Sequence, residues 1–302
     1  MGPLTASHTQ FPLRPVVASS QLQSAPTING IDANRLYMDG APLVKFDESI
    51  DTEGAIVVSC FPTVSMVSNI VAHYLVEHLE LQFVGGVRDS RLPAVCLVQN
   101  GEPLPPIRFY AGEPQCNVDG CDKLIVVLSD IQVHGRLALP LTEALFEWSK
   151  NAKINTGILI DAFAHGVESP HELVDDDDTD ETLLGIGAIE ANRNRLIEMG
   201  IPLLKHGVVG GMTGVMMGEG RRRGIDLCAI LAEANPGIPD ARAAARIIEK
   251  LDLLFPAVHL DPEPLLEEAV RIEEQIKAML SHQLSASEER GEDGDTSAML
   301  YG

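Results

Sequence analysis

The sequence predicts an α/β fold, a three-layer α/β/α sandwich around a largely parallel sheet. Three observations carry this prediction. Short uninterrupted apolar runs, the mark of strands covered on both faces, alternate with segments whose apolar residues recur at helical spacing. Hydrophobic residues make up 45% of the chain and aromatics only 4%, so the core is built mostly from Val, Ile, Leu, Ala and Met, a composition that favours α/β. The 302 residues are enough to bury one large core.

Residues 1–34, rich in Ser, Thr, Gln, Pro and Ala without periodicity, read as a flexible leader. The folded domain is expected over 35–281. Residues 55–61 (AIVVSCF) form a short apolar run that reads as a strand, and 64–80 carry apolar residues at 64, 67, 70, 71, 74, 75 and 79, which is helical spacing. Residues 94–99 and 107–110 predict two further strands, with Pro105 and Pro106 as the turn between them. A buried strand at 123–129, a helix at 141–153 and a strand at 156–161 continue the alternation. The acidic stretch 175–181 (DDDDTDE) reads as a solvated loop. A helix at 189–199 is ended by Gly200 and Pro202. Then follow the glycine-rich 206–214, a helix at 215–223, a strand at 226–232 and a helix at 240–254. Residues 264–281 form an amphipathic helix, with Leu265, Leu266, Ala269, Ile272, Ile276 and Met279 on one side. Residues 282–302 are polar until the last four and predict a flexible tail with an apolar tip. Strands followed by crossover helices place ligand or partner loops at the strand ends.

The formal charge of -22, from 44 acidic against 22 basic residues, opposes binding to nucleic acid, and no basic stripe offsets it. Arg221, Arg222 and Arg223 read as cations at a helix C-terminus. Arg outnumbers Lys, and such an acidic, Lys-poor surface is compatible with a salt-rich cytoplasm and equally with an acidic mesophilic protein. Cys60, Cys96, Cys116, Cys121 and Cys228 are odd in number and read as free thiols of a reducing compartment. The spacing of Cys116 and Cys121 completes no zinc site. No charged start followed by an apolar core opens the chain, and no apolar run reaches the ~18 residues of a membrane helix. The expectation is a cytoplasmic protein with no membrane, metal, cofactor or nucleic-acid partner.

Two constellations carry possible chemistry. Gly207, Gly210, Gly211 and Gly214 lie between a predicted strand and a predicted helix, where backbone amides can cradle a phosphate. The spacing is not G-x-G-x-x-G, and the Gly-Lys-Ser/Thr ending of a P-loop is missing. The plainer reading is a tight turn and close helix packing. Residues 161–171 gather Asp161, His165, Glu168 and His171, and Glu233 follows the strand at 226–232. Strand-end Asp and His more often satisfy loop backbone than perform catalysis. No complete catalytic set is found, so the chain is not expected to be an enzyme.

Three stretches read together carry a family likeness: 157–163 (GILIDAF), 207–214 (GVVGGMTG) and 230–251 (ILAEANPGIPDARAAARIIEKL). With them the chain resembles the proteasome assembly chaperone family, specifically its archaeal members, over roughly residues 50–280. The resemblance implies a fold like that of nucleoside phosphorylases and a role as an ATP-independent proteasome-binding chaperone or activator. It also implies a use for Leu300, Tyr301 and Gly302, which fit the C-terminal hydrophobic-Tyr-any motif of proteasome-binding partners. Such tails enter pockets between α-subunits of the 20S proteasome ring, where the terminal carboxylate pairs with a Lys. A homo-oligomer, with a tetramer favoured, would present several tails. The leader and the acidic loop are not features carried over from the family. The alternative is an enzyme or small-ligand-binding protein of phosphorylase/hydrolase-like fold. It would use the 207–214 loop to hold a phosphate or carboxylate, with Asp161, His165 or Glu233 nearby.

Overall fold

A computed structural model describes residues 40–112, 123–164, 183–255 and 259–267, with short pieces at 27–28, 31–32 and 270. The chain divides into residues 1–40 and 41–302. In the first unit β1 (Thr27–Ile28) and β2 (Ile31–Asp32) pair antiparallel, and nearly all of the expected leader lies outside the described residues.

The second unit is built on an eight-stranded sheet. Its strands and helices follow in the order β3 (Leu43–Phe46), β4 (Ile56–Cys60), α1 (Val67–His78), β5 (Gln82–Arg88), the hairpin β6 (Leu97–Gln99) and β7 (Glu102–Leu104), then β8 (Ile107–Gly112), β9 (Leu124–Ser129), α2 (Gly135–Asn151), β10 (Thr156–Ala164), β11 (Leu183–Gly187), α3 (Glu190–Glu198), α4 (Gly211–Arg223), β12 (Leu227–Ala234) and α5 (Ala241–Asp252). Residues 263–267 and 270 are helical, and the rest of the helix expected to 281 lies outside the described residues. So do the acidic stretch 175–181 and the pair Cys116 and Cys121.

The strands lie in the order β11-β12-β10-β4-β9-β8-β5-β3. The four middle strands β12, β10, β4 and β9 are parallel, with Ile160 in register with both Cys60 and Ile230. β11 extends this core antiparallel on one side, and β8, β5 and β3 on the other. The sheet is therefore mixed around a parallel centre, flanked by helices as the α/β reading requires. Val58, Ile160 and Ile230 pack on one face with residues of α1, α3 and α5. Val57, Leu159 and Ala229 pack on the other with residues of α2 and α4.

Several boundaries differ from the sequence reading. β3, β5 and β11 were not expected. The turn after β6 is Asn100-Gly101, both with positive φ (51° and 84°), which is the Asn-Gly geometry that matches hairpin twist. Pro105 and Pro106 instead link that hairpin to β8. Helix α2 begins at Gly135 and α4 at Gly211, each one turn or more before the apolar periodicity becomes regular.

One buried amide ties the lower end of the sheet together. Asn192, fully buried near the start of α3, accepts through Oδ1 from the N–H of Ile189 (3.2 Å) and of Leu227 (3.2 Å), and its Nδ2 donates to Asp226 (2.7 Å). Removing it strands the Leu227 N–H at the head of a central strand. Asn192→Ala should cost about 3 kcal/mol, since each buried group left unpaired costs about 1–3 kcal/mol. The midpoint of urea unfolding checks this, and a loss below about 0.5 kcal/mol would contradict the role given to Asn192.

Candidate functional site

The parallel strands end in a cleft of about 430 Å³ outside β4 and β10. It sits where the connection after β4 enters α1 on one face and the connection after β9 enters α2 on the other, the usual ligand position in such sheets.

One wall is the turn that leaves β4. Ser65 and Met66 both have φ near 56°, an arrangement that costs energy for residues with a Cβ and persists only where neighbours enforce it. The neighbours are clear. The Ser68 hydroxyl donates to the Phe61 carbonyl, the Ser65 hydroxyl to the Asn235 carbonyl, and the Asp240 N–H to the Ser65 carbonyl at 3.0 Å. Asn69 Nδ2 donates to the Ser129 carbonyl at 2.9 Å, joining α1 to the end of β9. Asp240 also caps α5, accepting from Ala243 N–H at 2.9 Å.

The opposite wall is the glycine turn. It follows an irregular segment whose sheet contact is the single bridge Leu203–Gly185, not a full strand. Gly211 has φ of 63°. A Cβ on Gly214 would lie 2.1 Å from the Val209 carbonyl oxygen, so this glycine is required by close packing. The Gly214 N–H donates to the Gly210 carbonyl at 3.0 Å and opens α4. Gly210 and Gly211 line the cleft, whereas Gly207 and Gly214 do not.

Asp161 forms the floor. It shares a sheet face with Leu159, which turns its side chain toward α4. Its Oδ1 accepts from the Ala162 N–H at 2.7 Å, and the buried Thr213 hydroxyl donates to the carboxylate. Burial raises its pKa above the ordinary 3.8 by more than these two bonds lower it.

The structure thus joins Asp161 to two of the four glycines. Glu233 does not line the cleft; it is in register with Phe163, and its carbonyl accepts from Arg246 at 2.7 Å. His165, Leu300, Tyr301 and Gly302 lie outside the described residues. Thr213, Gln132 and the Ser65–Met66 turn were not singled out from the sequence. Thr213 lies inside the glycine stretch, but its link to Asp161 depends on tertiary contact alone. A second polar cluster was also missed: Arg108, buried, donates to the Tyr110 hydroxyl (2.8 Å) and pairs with Asp130, which also meets His73 Nε2 at 3.3 Å. Burial raises the Asp130 pKa, and the His73 and Arg108 contacts together more than reverse this, leaving it below its ordinary value.

The chemistry of the cleft follows from its charge. A helix N-terminus favours an anion by about 0.3–1 kcal/mol. A second negative charge about 4 Å from Asp161 would be opposed by about 4 kcal/mol at an effective dielectric of 20. At that separation the carboxylate outweighs the helix end, so an ionised Asp161 disfavours a phosphate close to it. Among the described residues no cluster of His, Cys, Asp or Glu is placed to hold a metal, and no helix is long and apolar enough to cross a membrane.

The chain belongs to the PAC2 family, whose model matches residues 57–280. Pyrococcus furiosus PbaA, an archaeal homolog of proteasome-assembly chaperone, is 26% identical, superposes with a TM-score of 0.70, and the match covers 86% of this chain and 100% of PbaA. Pyrococcus furiosus PbaB, an archaeal proteasome activator, shares the fold at 16% identity with a TM-score of 0.65, over 80% of this chain and 99% of PbaB. An uncharacterized protein of Methanocaldococcus jannaschii is 26% identical over 246 residues, 80% of this chain and 92% of that protein.

The raised Asp161 pKa has a direction that can be checked. Its ionised form is disfavoured in the fold, so its stability contribution is best below the unfolded pKa and is lost as pH rises from there through the folded pKa. Asp161→Asn removes that loss. The variant should unfold at a higher temperature than the parent at pH 7, with the gap closing below about pH 4; an unchanged gap across that range would contradict the assignment.

Proposed function

We propose, on the premise that the chain belongs to the PAC2 family, that it is an ATP-independent proteasome-binding chaperone or activator. It docks Leu300, Tyr301 and Gly302 into pockets of the 20S α-ring. The observation that carries this reading is the likeness to PbaA across nearly the whole domain at both sequence and fold level. The proposed organisation is a leader over 1–34, the α/β domain over 35–281 and a tether over 282–302, in a cytoplasmic homo-oligomer, with a tetramer favoured.

Physical chemistry supports the tail as the contact. Tyr offers a large apolar face and one hydroxyl with few rotamers to immobilise, and Leu adds buried area. In a chain that terminates at Gly302, the carboxylate makes a charge-assisted bond to a pocket Lys. One such anchor is weak. Several, on tethers of about 18 residues with ~20–25 Å mean reach, gain avidity from the symmetry of the oligomer. The alternative reading, an enzyme holding a phosphate on the 207–214 loop, is opposed by the Asp161 carboxylate at that turn.

The test is binding to 20S particles and to free α-subunits from the same source, with peptide hydrolysis followed in parallel. Tyr301→Ala should weaken binding about tenfold or more, as loss of a buried Tyr anchor does. Faster hydrolysis with the parent chain selects activation, and binding to free α-subunits alone selects assembly. Equal binding by the variant, or no binding to either target, overturns the reading.

A further inference from the structure

The cleft above β4 and β10 has a sign. Among its described lining residues Asp161 carries the only formal charge. The polar side chains are Thr63, Gln132 and Thr213, and most of the remaining wall is apolar, with Phe61 and Met212 buried in it and Val208 fully exposed at its rim. We propose that this cleft binds an alkylammonium group, with Asp161 as the counter-ion and the aliphatic stem lying between Phe61, Phe163, Val209 and Met212.

The carboxylate is held ready for such a partner. It accepts from the Ala162 N–H and the Thr213 hydroxyl, neither of which is charged. A carboxylate has about four lone-pair sites, so these two bonds leave acceptor capacity facing the cleft. A partly desolvated carboxylate with no cation beside it among the described residues is unfavourable, and an ammonium that enters the cleft offsets that cost while its methylenes cover the apolar wall. Phosphates and carboxylates meet a charge of their own sign and are repelled. The net charge of -22 adds a long-range field that concentrates cations and repels anions. The volume of about 430 Å³ falls within the range of small-ligand sites, about 300–1,000 Å³. This inference does not rest on the proteasome reading, since the tail takes no part in it.

The test compares three six-carbon probes on the full chain, hexylammonium, hexanoate and hexanol, by calorimetry and by amide chemical shifts. Hexylammonium should bind saturably and move the signals of Ala162 and Gly211 to Thr213, and hexanoate should not. Asp161→Asn should weaken hexylammonium about tenfold or more and leave hexanol unchanged. Should that variant fold poorly, Val208→Lys decides, because residue 208 is fully exposed and a cation at the rim should weaken hexylammonium and not hexanol. A peptide with one internal Lys, set against the same peptide with norleucine, separates the two sources of the group: Lys-dependent shifts identify a protein side chain, and shifts from the free amine alone identify a small amine. Hexanoate binding as tightly as hexylammonium, no saturable hexylammonium binding, or indifference of hexylammonium to both substitutions overturns the proposal.

Discussion

Strands β12, β10, β4 and β9 are covered on both faces, and this constraint governs where the polar groups of the sheet's centre sit. Water reaches neither face of these strands, so their backbone groups are satisfied by the parallel ladder and their side chains by helices. Along these four strands the ion pairs and hydrogen-bonded side chains described above gather at the two ends. The lower end carries Asn192 with its three hydrogen bonds and exposed pairs such as Lys153–Glu53, the latter worth little in water. At the upper end the loops diverge to opposite faces, and the space between them is the cleft. Asp161 lies where β10 emerges from its buried course, which is why a carboxylate is tolerated there and not two residues earlier at Leu159.

The same constraint decides what was legible in the sequence. Strands with two covered faces write continuous apolar runs, and β4, β9, β10 and β12 are read at once from IVVSC, LIVVLS, TGILI and LCAILA. Strands at the margins do not. β3 (LVKF) is short and carries Lys45, β5 (QFVGGVR) is interrupted by two glycines and a bulge, and β11 (LLGIG) has only five residues. Their pairing partners, not their own sequences, make them strands. Helix starts were read late for a related reason. The first turn of α4 contains Gly211 and Gly214, which have poor intrinsic helix propensity, and it is held by the sheet beneath and by the Gly214–Gly210 bond.

The site was half legible. The three stretches that carry the family likeness are β10, the start of α4, and β12 with α5; β10 and β12 are neighbours, and the two helices cover opposite faces of that part of the sheet. The likeness therefore reads the scaffold around the cleft. Residue type alone gave glycines and an Asp, and glycines before a helix suggest an anion. The geometry reverses the sign, because the strand period puts Asp161 on the face under α4. A contact of that kind depends on which face of a strand meets which helix, and no local pattern encodes it.

The last described segment, 259–267, is anchored on one face of the sheet. Tyr74 donates to the Asp261 carbonyl at 2.6 Å, Leu260 N–H donates to Asp252 at 2.7 Å, and His78 Nε2 lies 3.1 Å from the His259 carbonyl. Leu260 and Leu265 are buried in the core on that side. The chain is thus fastened to α1 and α5 before it runs on toward its end, on the sheet face opposite the one that carries α4 and Asp161. This anchor and the floor of the cleft therefore lie on different faces of the sheet. A hydrogen-bonded route between them passes through the Asp240 N–H to the Ser65 carbonyl, where the cap of α5 meets the turn that walls the cleft. A change at that wall acts on the anchor only by moving a capped helix packed against the buried sheet, and close-packed interiors resist such movement. The anchor at 259–265 and the wall of the cleft are accordingly only stiffly linked through the described residues.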